Sequence, residues 1–284
     1  MSFETDNTSD FSLIVGTLGR MEPLRLFLDS LREQPGCSFE VILIDQSEHG
    51  LPNGFTDGCG FPVRVFRRPP GLSACRNFGL KQAAGRFVAF PDDDCEYPPG
   101  LLGSIRSEFL RDPALGGIST LVTDRDGRVS AGGYMASAPC RMTPGNIWRT
   151  AVSPSLFFRR ESLADTAFDE RLGAGSGTVF GSGEETDFCL ALIERGVRLE
   201  YMPRYTVWHP VYAGPWDGDR AYRYGCGFGA VLRKHGASVA TAMRFAGYQF
   251  ARALQRLLTC QPSRAGYHYR QALGRLHGYR TFKP

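Results

Sequence analysis

Three carboxylates directly follow an apolar segment in the stretch Arg86-Phe87-Val88-Ala89-Phe90-Pro91-Asp92-Asp93-Asp94. The apolar segment predicts a buried strand, which puts the acids at its carboxyl end. Ligands of open α/β sheets bind at that edge. Carboxylates placed there favour a hard divalent cation, and hence the phosphates of a nucleotide. The alternative is an acidic turn without chemistry, since Asp is common in loops.

Strands and helices alternate around this stretch. Apolar patterning predicts strands at 11–16, 39–44, 63–66 and 86–90, and helices at 21–33 and 71–84. This alternation indicates βαβ units and a parallel sheet. We therefore predict an α/β protein whose nucleotide-binding half lies at about residues 11–120.

The rest of the chain shows a mixed pattern followed by helices. Short strands are predicted near 118–121 and 155–158, a helix at 184–195, a strand at 197–201 and a helix at 237–258. In the last helix one face carries Met243, Phe250, Leu254, Leu257 and Leu258, and the other carries Arg244, Arg252 and Arg256. We predict a catalytic domain at 1–215, with its acceptor-binding half at 120–215, and a basic helical extension at 216–284.

The charge of the chain is unevenly divided. The net charge is +4, yet no Asp or Glu follows Asp219, and 12 Lys and Arg residues lie from Arg220 to the end. The first 219 residues therefore carry 21 of the 33 basic residues and all 29 acidic ones. This asymmetry indicates a basic appendage that meets phospholipid head groups, a lipid diphosphate or nucleic acid. A solvated basic helix face is the alternative.

Cysteine spacing and hydropathy point to a cytoplasmic protein. The 8 cysteines are scattered without a C-x-x-C pair, so neither a disulfide framework nor a zinc motif is predicted. The start of the chain, Met1 to Asp10, is polar and acidic, unlike a secretory signal. No apolar run approaches the ~20 residues that a membrane span needs. The basic tail leaves peripheral binding at the inner face of the cell membrane open.

Two further residues are expected at the sheet edge that carries the acids. Asp45 ends the second predicted strand, where a carboxylate can accept hydrogen bonds from a base or a ribose. Arg76 lies in the helix that leads into the acidic strand and offers a fork for phosphate. Each has an ordinary alternative, because a strand-end Asp is often a cap or turn residue and Arg76 could pair with a surface acid.

Two more candidates lie further along the chain. In Gly181-Ser182-Gly183-Glu184-Glu185-Thr186-Asp187, a glycine-rich loop leads acids into the start of a helix. Acids in a first turn stabilise a helix through its dipole, which is the alternative to a carboxylate that acts as general base. His209 is a candidate metal ligand, although a lone His more often has a structural role.

Taken in order, these segments resemble family 2 glycosyltransferases of the GT-A fold, which use nucleotide sugars in polysaccharide assembly. The resemblance spans about residues 11–210. It rests on Leu13-Ile14-Val15-Gly16-Thr17-Leu18-Gly19-Arg20, Ile44-Asp45-Gln46-Ser47, Gly71-Leu72-Ser73-Ala74-Cys75-Arg76-Asn77-Phe78-Gly79, Asp92-Asp93-Asp94, Gly183-Glu184-Glu185-Thr186-Asp187 and His209. It implies a Rossmann-like, mostly parallel central sheet flanked by helices, with a C-terminal helical extension.

The resemblance also implies nucleotide-sugar contacts. They fall on Thr17, Arg20, Asp45, Arg76, Asp92 and Asp93. Asp45 would contact the nucleobase, and Arg76 would lie near the base or the diphosphate. The family's second acid in its "D-D-x-S" motif is replaced here by Gln46, which leaves the donor nucleotide open. Within the acidic triplet, we expect Asp93 to tolerate substitution best.

Metal and base residues are implied in the same way. Asp94 and His209 would coordinate Mn²⁺ or Mg²⁺, with Asp92 as a direct or water-mediated ligand. Glu185 would be the general base, although the family has Asp at this position. The longer side chain leaves Glu184 and Asp187 as alternatives.

The implied activity is inverting transfer of a sugar from a nucleoside-diphosphate sugar to a hydroxyl of a lipid-linked or polysaccharide acceptor. Acceptor loops are expected at 123–147 and 173–182, and no nucleic-acid partner is expected. A metal-dependent nucleotidyltransferase is one alternative, but it would need a glycine-rich, basic loop after the first strand, of which Gly16 to Arg20 is a poor version. A nucleotide-sugar-binding module without catalysis is the other, because the base position is substituted.

Overall fold

The computed structural model describes residues 9–130, 135–212 and 214–284. The polar start of the chain and residues 131–134 of the predicted acceptor loop therefore lie outside the described residues. The chain divides into two compact units. The first contains residues up to Pro70, Cys75–Ala167 and Cys189–Tyr212, and the second contains Gly71–Ala74, Phe168–Phe188 and the residues after Tyr212.

A single mixed sheet of eight strands forms the centre of the first unit. In chain order the strands are β1 (Phe11–Thr17), β2 (Phe39–Asp45), β3 (Val63–Arg67), β4 (Phe87–Ala89), β5 (Leu115–Thr123), β6 (Cys140–Arg141), β7 (Leu156–Arg159) and β8 (Arg198–Trp208). Their order across the sheet is β3-β2-β1-β4-β7-β5-β8-β6. Strands β1 to β4 are parallel, and β7 lies antiparallel between β4 and β5.

The parallel half brings the ends of β1, β2 and β4 to one edge. Thr17 pairs with Asp45 at the ends of β1 and β2, and Leu13 pairs with Ala89 at the end of β4. These strands are almost wholly buried, as expected where helices cover both faces of a parallel sheet. Within this unit, Thr17, Asp45 and the acids that follow β4 therefore lie at one edge of the sheet, as the sequence predicts.

Helices and aromatic packing support the first unit. The helices of this part of the chain are α1 (Met21–Ser30), α2 (Leu72–Gln82), α3 (Leu101–Arg111), α4 (Arg160–Leu163) and α5 (Glu184–Glu194), of which α2 and α5 begin in the second unit. The ring of Phe87 lies 5.2 Å from Phe11 and stacks at 4.6 Å on Phe109. This buried cluster fixes β4 against β1 and α3, and so fixes the acids that follow β4.

The second unit is built on three long helices. They are α6 (Gly218–Lys234), α7 (Val239–Leu258) and α8 (Pro262–Thr281). The backbones of α6 and α8 approach so closely that a Cβ at Gly278 would overlap the carbonyl oxygen of Cys226. Glycine disfavours helices in general, which is why the pattern of the sequence predicts α7 but not α6. Here the glycines permit close packing.

Most predicted boundaries agree with the structure to within a few residues. The main difference is β8, which continues from Arg198 to Trp208 where a strand at 197–201 is predicted. Its pairing with β5 shifts register between Thr120 and Leu121, an irregularity that interrupts the apolar alternation. None of the helices in the described residues has the length and apolar composition that crossing a bilayer requires.

Candidate active site

The acidic triplet alternates between the surface and the interior. Asp92 and Asp94 are half-buried, whereas the side chain of Asp93 is only 4% exposed. Asp93 and Asp94 form a turn, which the N–H of Cys95 closes by donating to the carbonyl oxygen of Asp92 at 3.2 Å. The first and third carboxylates therefore face the site together, and the middle one serves the interior.

A short bridge carries His209 to these carboxylates. Glu96 and Trp208 exchange two backbone hydrogen bonds of 2.8 and 3.0 Å, which tie the end of β8 to the segment after β4. The backbone N–H of His209 donates to the carbonyl oxygen of Thr123 at 2.8 Å. His209 is thereby fixed beside residues that lie more than a hundred positions earlier. The sequence carried no signal of this bridge.

Asp92, Asp94 and His209 form a three-residue cluster. Each offers one ligand atom, and these atoms all lie within 4.8 Å of one another. Nε2 of His209 is 3.4 Å from Oδ1 of Asp94. Two carboxylates and an imidazole form a donor set that Mn²⁺ accepts readily and Mg²⁺ accepts through its oxygens. The residues present therefore fit the predicted metal, and this is the grouping predicted from the sequence.

The hydrogen bonds of His209 favour ligation through Nε2. Nδ1 lies 2.9 Å from the carbonyl oxygen of Pro210 and 3.0 Å from Oγ of Ser130, whose hydroxyl also donates to Pro210. A proton on Nδ1 satisfies the carbonyl, so Nε2 is the atom left for a metal. Burial lowers the pKa of His209, but the hydrogen bond to Asp94 and the charges of Asp92 and Asp94 outweigh it, so that the pKa is raised.

Asp94 is held as a carboxylate. Burial raises its pKa, but the hydrogen bond and charge of His209 and the charge of Arg20 outweigh this and lower the pKa to about 2. Nη1 of Arg20 lies 2.5 Å from Oδ2 of Asp94. The guanidinium therefore already supplies positive charge on the outer side of the cluster, and Asp94 is ionised over the physiological pH range.

Asp93 has a structural task that its sequence position did not reveal. Its carboxylate forms an ion pair with Arg20 and accepts a hydrogen bond of 2.6 Å from Oγ1 of Thr17. Thr17 in turn accepts from the N–H of Gly19 at 3.1 Å. Asp93 therefore fixes the turn after β1, and the expectation that it tolerates substitution best is revised.

Arg76 lies beneath the cluster and not at the protein surface. It is 3% exposed, and Nη2 lies 3.4 Å from Oδ1 of Asp92 and within hydrogen-bond distance of Ser153 Oγ. Arg76 thus pairs with an acid of the cluster. Its charge acts on Asp92 from the buried side, which is a positioning task. Ser153 was not among the predicted residues.

Asp45 is committed to the loop that follows β2. Its Oδ1 accepts from N and Oγ of Ser47 at 2.9 and 2.5 Å, and Oδ2 accepts from the N–H of Leu51 at 2.8 Å. Burial raises the pKa of Asp45, but these hydrogen bonds outweigh it and lower the pKa. Asp45 thus lies at the sheet edge, as predicted, and also stabilises the turn that follows β2.

A cavity opens beside this loop. Its volume is about 540 Å³, and it is lined by Gln46, Ser47, Glu48, Arg67, Arg68, Pro69 and Pro70. Gln46 is buried, and its Nε2 donates to the carbonyl oxygen of Pro69 at 2.8 Å. The side-chain oxygen of this amide and the two arginines are polar groups suited to a ring with donors and acceptors. Arg67 and Arg68 were not predicted as site residues.

The acids of the 181–187 segment differ in their surroundings within the second unit. Asp187 is 1% exposed, forms an ion pair of 2.8 Å with Lys234 Nζ and lies within hydrogen-bond distance, 2.9 Å, of His235 Nε2. Glu184 is 6% exposed, and Glu185 is half-buried. Asp187 therefore links the start of α5 to the end of α6, a structural task for a residue predicted as an alternative base.

The sequence of the chain is similar to those of known glycosyltransferases. Residues 12–163 match the sequence profile of glycosyl transferase family 2. A pre-mycofactocin glycosyltransferase of Mycobacterium tuberculosis is 28% identical over 216 residues, which cover 70% of this chain and 42% of the relative. An uncharacterized glycosyltransferase of Haemophilus influenzae is 32% identical over 90 residues, which cover 31% of this chain and 30% of that protein. The match thus spans less than half of the length of these curated relatives.

Solved structures resemble the chain as a whole. The mannosyltransferase PcManGT from Pyrobaculum calidifontis, in complex with GDP-Man and Mn²⁺, superimposes with a TM-score of 0.60 at 18% identity over 95% of this chain and 88% of that one. S. aureus TarS 1-349 superimposes with a TM-score of 0.55 at 15% identity, covering 93% and 90%. At this identity the likeness concerns the fold, and the predicted GT-A architecture is confirmed.

Proposed function

Because the chain belongs to glycosyl transferase family 2, we propose that it transfers a sugar from a nucleoside-diphosphate sugar to an acceptor hydroxyl, with inversion at the anomeric carbon and with a divalent metal. The observation that carries this proposal is the convergence of Asp92, Asp94 and His209 at the sheet edge. The grouping joins residues from two distant parts of the chain. Burial of a core requires no such grouping, whereas a metal–diphosphate complex does.

Asp94 and His209 are proposed to hold the metal, with Asp92 as a further ligand or as the partner of a metal-bound water or the donor ribose. The ion is Mn²⁺ or Mg²⁺, and when bound it neutralises charge that develops on the leaving diphosphate. Neighbouring groups hold the side chains of Asp92 and His209 in position. Arg76 holds Asp92 from beneath, and the Pro210 carbonyl fixes the imidazole of His209.

The nucleotide is proposed to bind along the ends of β1 and β2. Asp45 and the cavity beside it would accept the base, with Gln46 in place of the family's second acid. Thr17 and Asp93 would act by holding Arg20 in place, and Arg20 is half-exposed and so is available to a phosphate. The solved neighbours bind UDP-GlcNAc in one case and GDP-Man in another, so donors of both nucleotides are candidates.

Glu185 is proposed as the general base. The half-buried position of this carboxylate supports it over Asp187, whose oxygens face Lys234 and His235. The base takes the proton of the acceptor hydroxyl, whose oxygen forms a bond to the anomeric carbon. The bond from that carbon to the diphosphate oxygen breaks, and the electron pair leaves with the nucleoside diphosphate. A single displacement of this kind inverts the configuration.

The acceptor is proposed to be a lipid-linked sugar or a polysaccharide, reached from the cytoplasmic face of a membrane. The support is the charge of the chain after Asp219, which contains twelve basic and no acidic residues. One relative is named for pre-mycofactocin, so that compound belongs in any acceptor panel.

A donor panel tests the proposal. The chain is incubated with UDP- and GDP-sugars, with Mn²⁺, with Mg²⁺ and with EDTA, and the release of nucleoside diphosphate is measured. Metal-dependent release from one donor, with inverted configuration of the transferred sugar, is the expected result. Release of pyrophosphate from a sugar phosphate and a nucleoside triphosphate indicates a nucleotidyltransferase instead, and tight donor binding without release indicates a binding module.

A further inference from the structure

Helix α7 turns its small side chains inward and its large apolar side chains outward. Ala242, Ala246 and Ala253 are buried. The exposed side carries what we call the lipid face, namely Val239 (64% exposed), Met243 (56%), Leu254 (58%), Leu257 (59%) and Leu258 (75%). At 3.6 residues per turn these positions fall within about 100° of the helix circumference. They therefore form one continuous apolar stripe that the described part of the chain does not cover.

Exposed apolar side chains are more numerous on α7 than on the other helices and strands that the structure describes. Among the described residues, 13 large apolar side chains are exposed, and 6 of them lie on α7. Single exposed apolar residues are normal, whereas a contiguous patch marks an interaction surface. The sequence predicts an apolar face that includes Met243 and the three leucines, and the structure leaves these side chains exposed.

Arg244 lies next to the stripe, and two further arginines lie near its C-terminal end. Arg244 is exposed on α7, and Arg256 and Arg264 donate to the same oxygen, Oε1 of Gln261, at 3.4 and 3.0 Å. Gln261 lies in the turn directly after Leu257 and Leu258. Because no Asp or Glu follows Asp219 in the sequence, no acid of this segment balances these charges.

The neighbouring titratable group responds to this positive field. Burial and then the charges of Arg252, Arg256, Arg275 and Arg264 lower the pKa of His268 to about 4. In the described residues, Nε of Arg252, Arg256 and Arg275 is buried without a hydrogen-bond partner. Positive charge is thus accumulated on this pair of helices.

We propose that the lipid face docks on a membrane surface rich in anionic lipids. The leucines enter the acyl boundary while Arg244, Arg256 and Arg264 bind lipid phosphates, as in helices that lie in the plane of an interface. This inference rests on the peripheral placement proposed above and not on the transfer reaction. A second copy of the chain is the poorer occupant, because pairing two such faces brings arginines against arginines.

Vesicle sedimentation with the full chain tests the proposal. The probes are vesicles of phosphatidylcholine alone and of phosphatidylcholine mixed with phosphatidylglycerol. The chain is expected to sediment only with the mixed vesicles and to be released by high salt, since charge attraction is screened. Binding that is equal for both vesicle types, or that is absent from both, overturns the proposal.

Two sets of variants separate the apolar and the charged contributions. The triple change Leu254→Gln, Leu257→Gln and Leu258→Gln should weaken binding at least about tenfold. Arg256→Gln with Arg264→Gln should weaken it about fivefold for each arginine. The matched controls are Leu110→Gln and Arg128→Gln, which alter an exposed Leu and an exposed Arg of the first unit and should leave binding unchanged.

The same samples distinguish a loss of docking from misfolding, from a loss of catalysis and from a protein–protein interface. All changed residues are exposed or partly exposed, and circular dichroism checks that the variants fold. Release of nucleoside diphosphate without vesicles should be equal in wild type and leucine variant, so a failure of docking and a failure of catalysis remain distinct. If the leucine variant binds vesicles normally but converts a dimer into a monomer in light scattering, the face is a protein interface and the proposal is wrong.

Discussion

Nε2 of His209 lies 3.4 Å from Oδ1 of Asp94, although the two residues end different segments of the chain. Both reach this position because backbone hydrogen bonds join Glu96 to Trp208. The pKa of His209 is raised and the pKa of Asp94 is lowered, so the two side chains form an electrostatic pair even without a metal. A divalent cation would replace the proton that such a pair shares.

The first prediction concerns the orientation of His209. Ser130→Ala removes the hydroxyl that lies 3.0 Å from Nδ1 and donates to Pro210. Affinity for Mn²⁺ should fall about 10-fold or more, because partners of metal ligands typically contribute 10–100-fold. His209→Ala should lose at least as much. Electron paramagnetic resonance of free Mn²⁺ measures both, and unchanged affinity in His209→Ala removes this residue from the metal site.

The second prediction concerns the stability contribution of Asp93. Asp93→Asn removes the charge of a buried carboxylate that pairs with the half-exposed Arg20, and it weakens the hydrogen bond from Thr17. The free energy of unfolding should fall by about 1–3 kcal/mol, the cost of a buried polar group that loses its partner. Urea unfolding measures it, with Asp126→Asn as control because that side chain is 77% exposed. If the two variants have equal urea midpoints of unfolding, the buried contacts of Asp93 do not stabilise the chain and this prediction is wrong.

The third prediction concerns the choice of base. Glu185→Gln keeps the shape of the side chain and removes its basicity, so transfer should fall by about 10²–10⁴ while donor binding persists. Asp187→Asn should instead lower thermal stability, since it leaves Lys234 and His235 facing a neutral amide. Transfer rates and the donor dissociation constant are measured for both variants. Near-normal turnover in Glu185→Gln shows that another group is the base.

The fourth prediction is a pH dependence of stability. Burial raises the pKa of Asp169, but hydrogen bonds from Arg171 and Lys234 outweigh it and lower the pKa below its ordinary 3.8. The unfolded chain therefore binds this proton first, so the stabilisation is present above pH 3.8 and is lost as the pH falls through the lower folded-state pKa. Asp169→Asn should destabilise the chain at pH 7 and progressively less towards pH 2. A difference that stays constant over this range contradicts the assignment, and Asp165→Asn is the exposed control.

Sequence reasoning located the residue types of the site, but it did not identify the contacts between them. Asp94 and His209 were predicted as partners because of the order of motifs, since nothing in the local patterning brings them together. The bridge between Glu96 and Trp208 does so, and backbone hydrogen bonds of this kind leave no trace in residue identity. Tertiary contacts decide such details.

The same limit applies to the burial of individual side chains. Adjacent acids look alike in a sequence, so Asp93 was expected to tolerate substitution best, yet the turn at Asp93 and Asp94 leaves the Asp93 side chain only 4% exposed. The sequence predicts an apolar face on α7 without indicating what covers it, and the structure buries the alanines of this helix and leaves the leucines exposed. A periodic pattern identifies a face and not its environment.

Metal-dependent donor turnover in Asp94→Asn tests the central claim most directly. Nucleoside diphosphate release is measured for wild type, Asp94→Asn and Asp126→Asn over a titration of Mn²⁺ with the preferred donor. The account predicts release that rises with Mn²⁺ in wild type and Asp126→Asn, and a loss of at least about 100-fold in Asp94→Asn with a folded chain. Turnover that is independent of Mn²⁺ and unchanged in Asp94→Asn would contradict the assignment of this cluster as the donor and metal site.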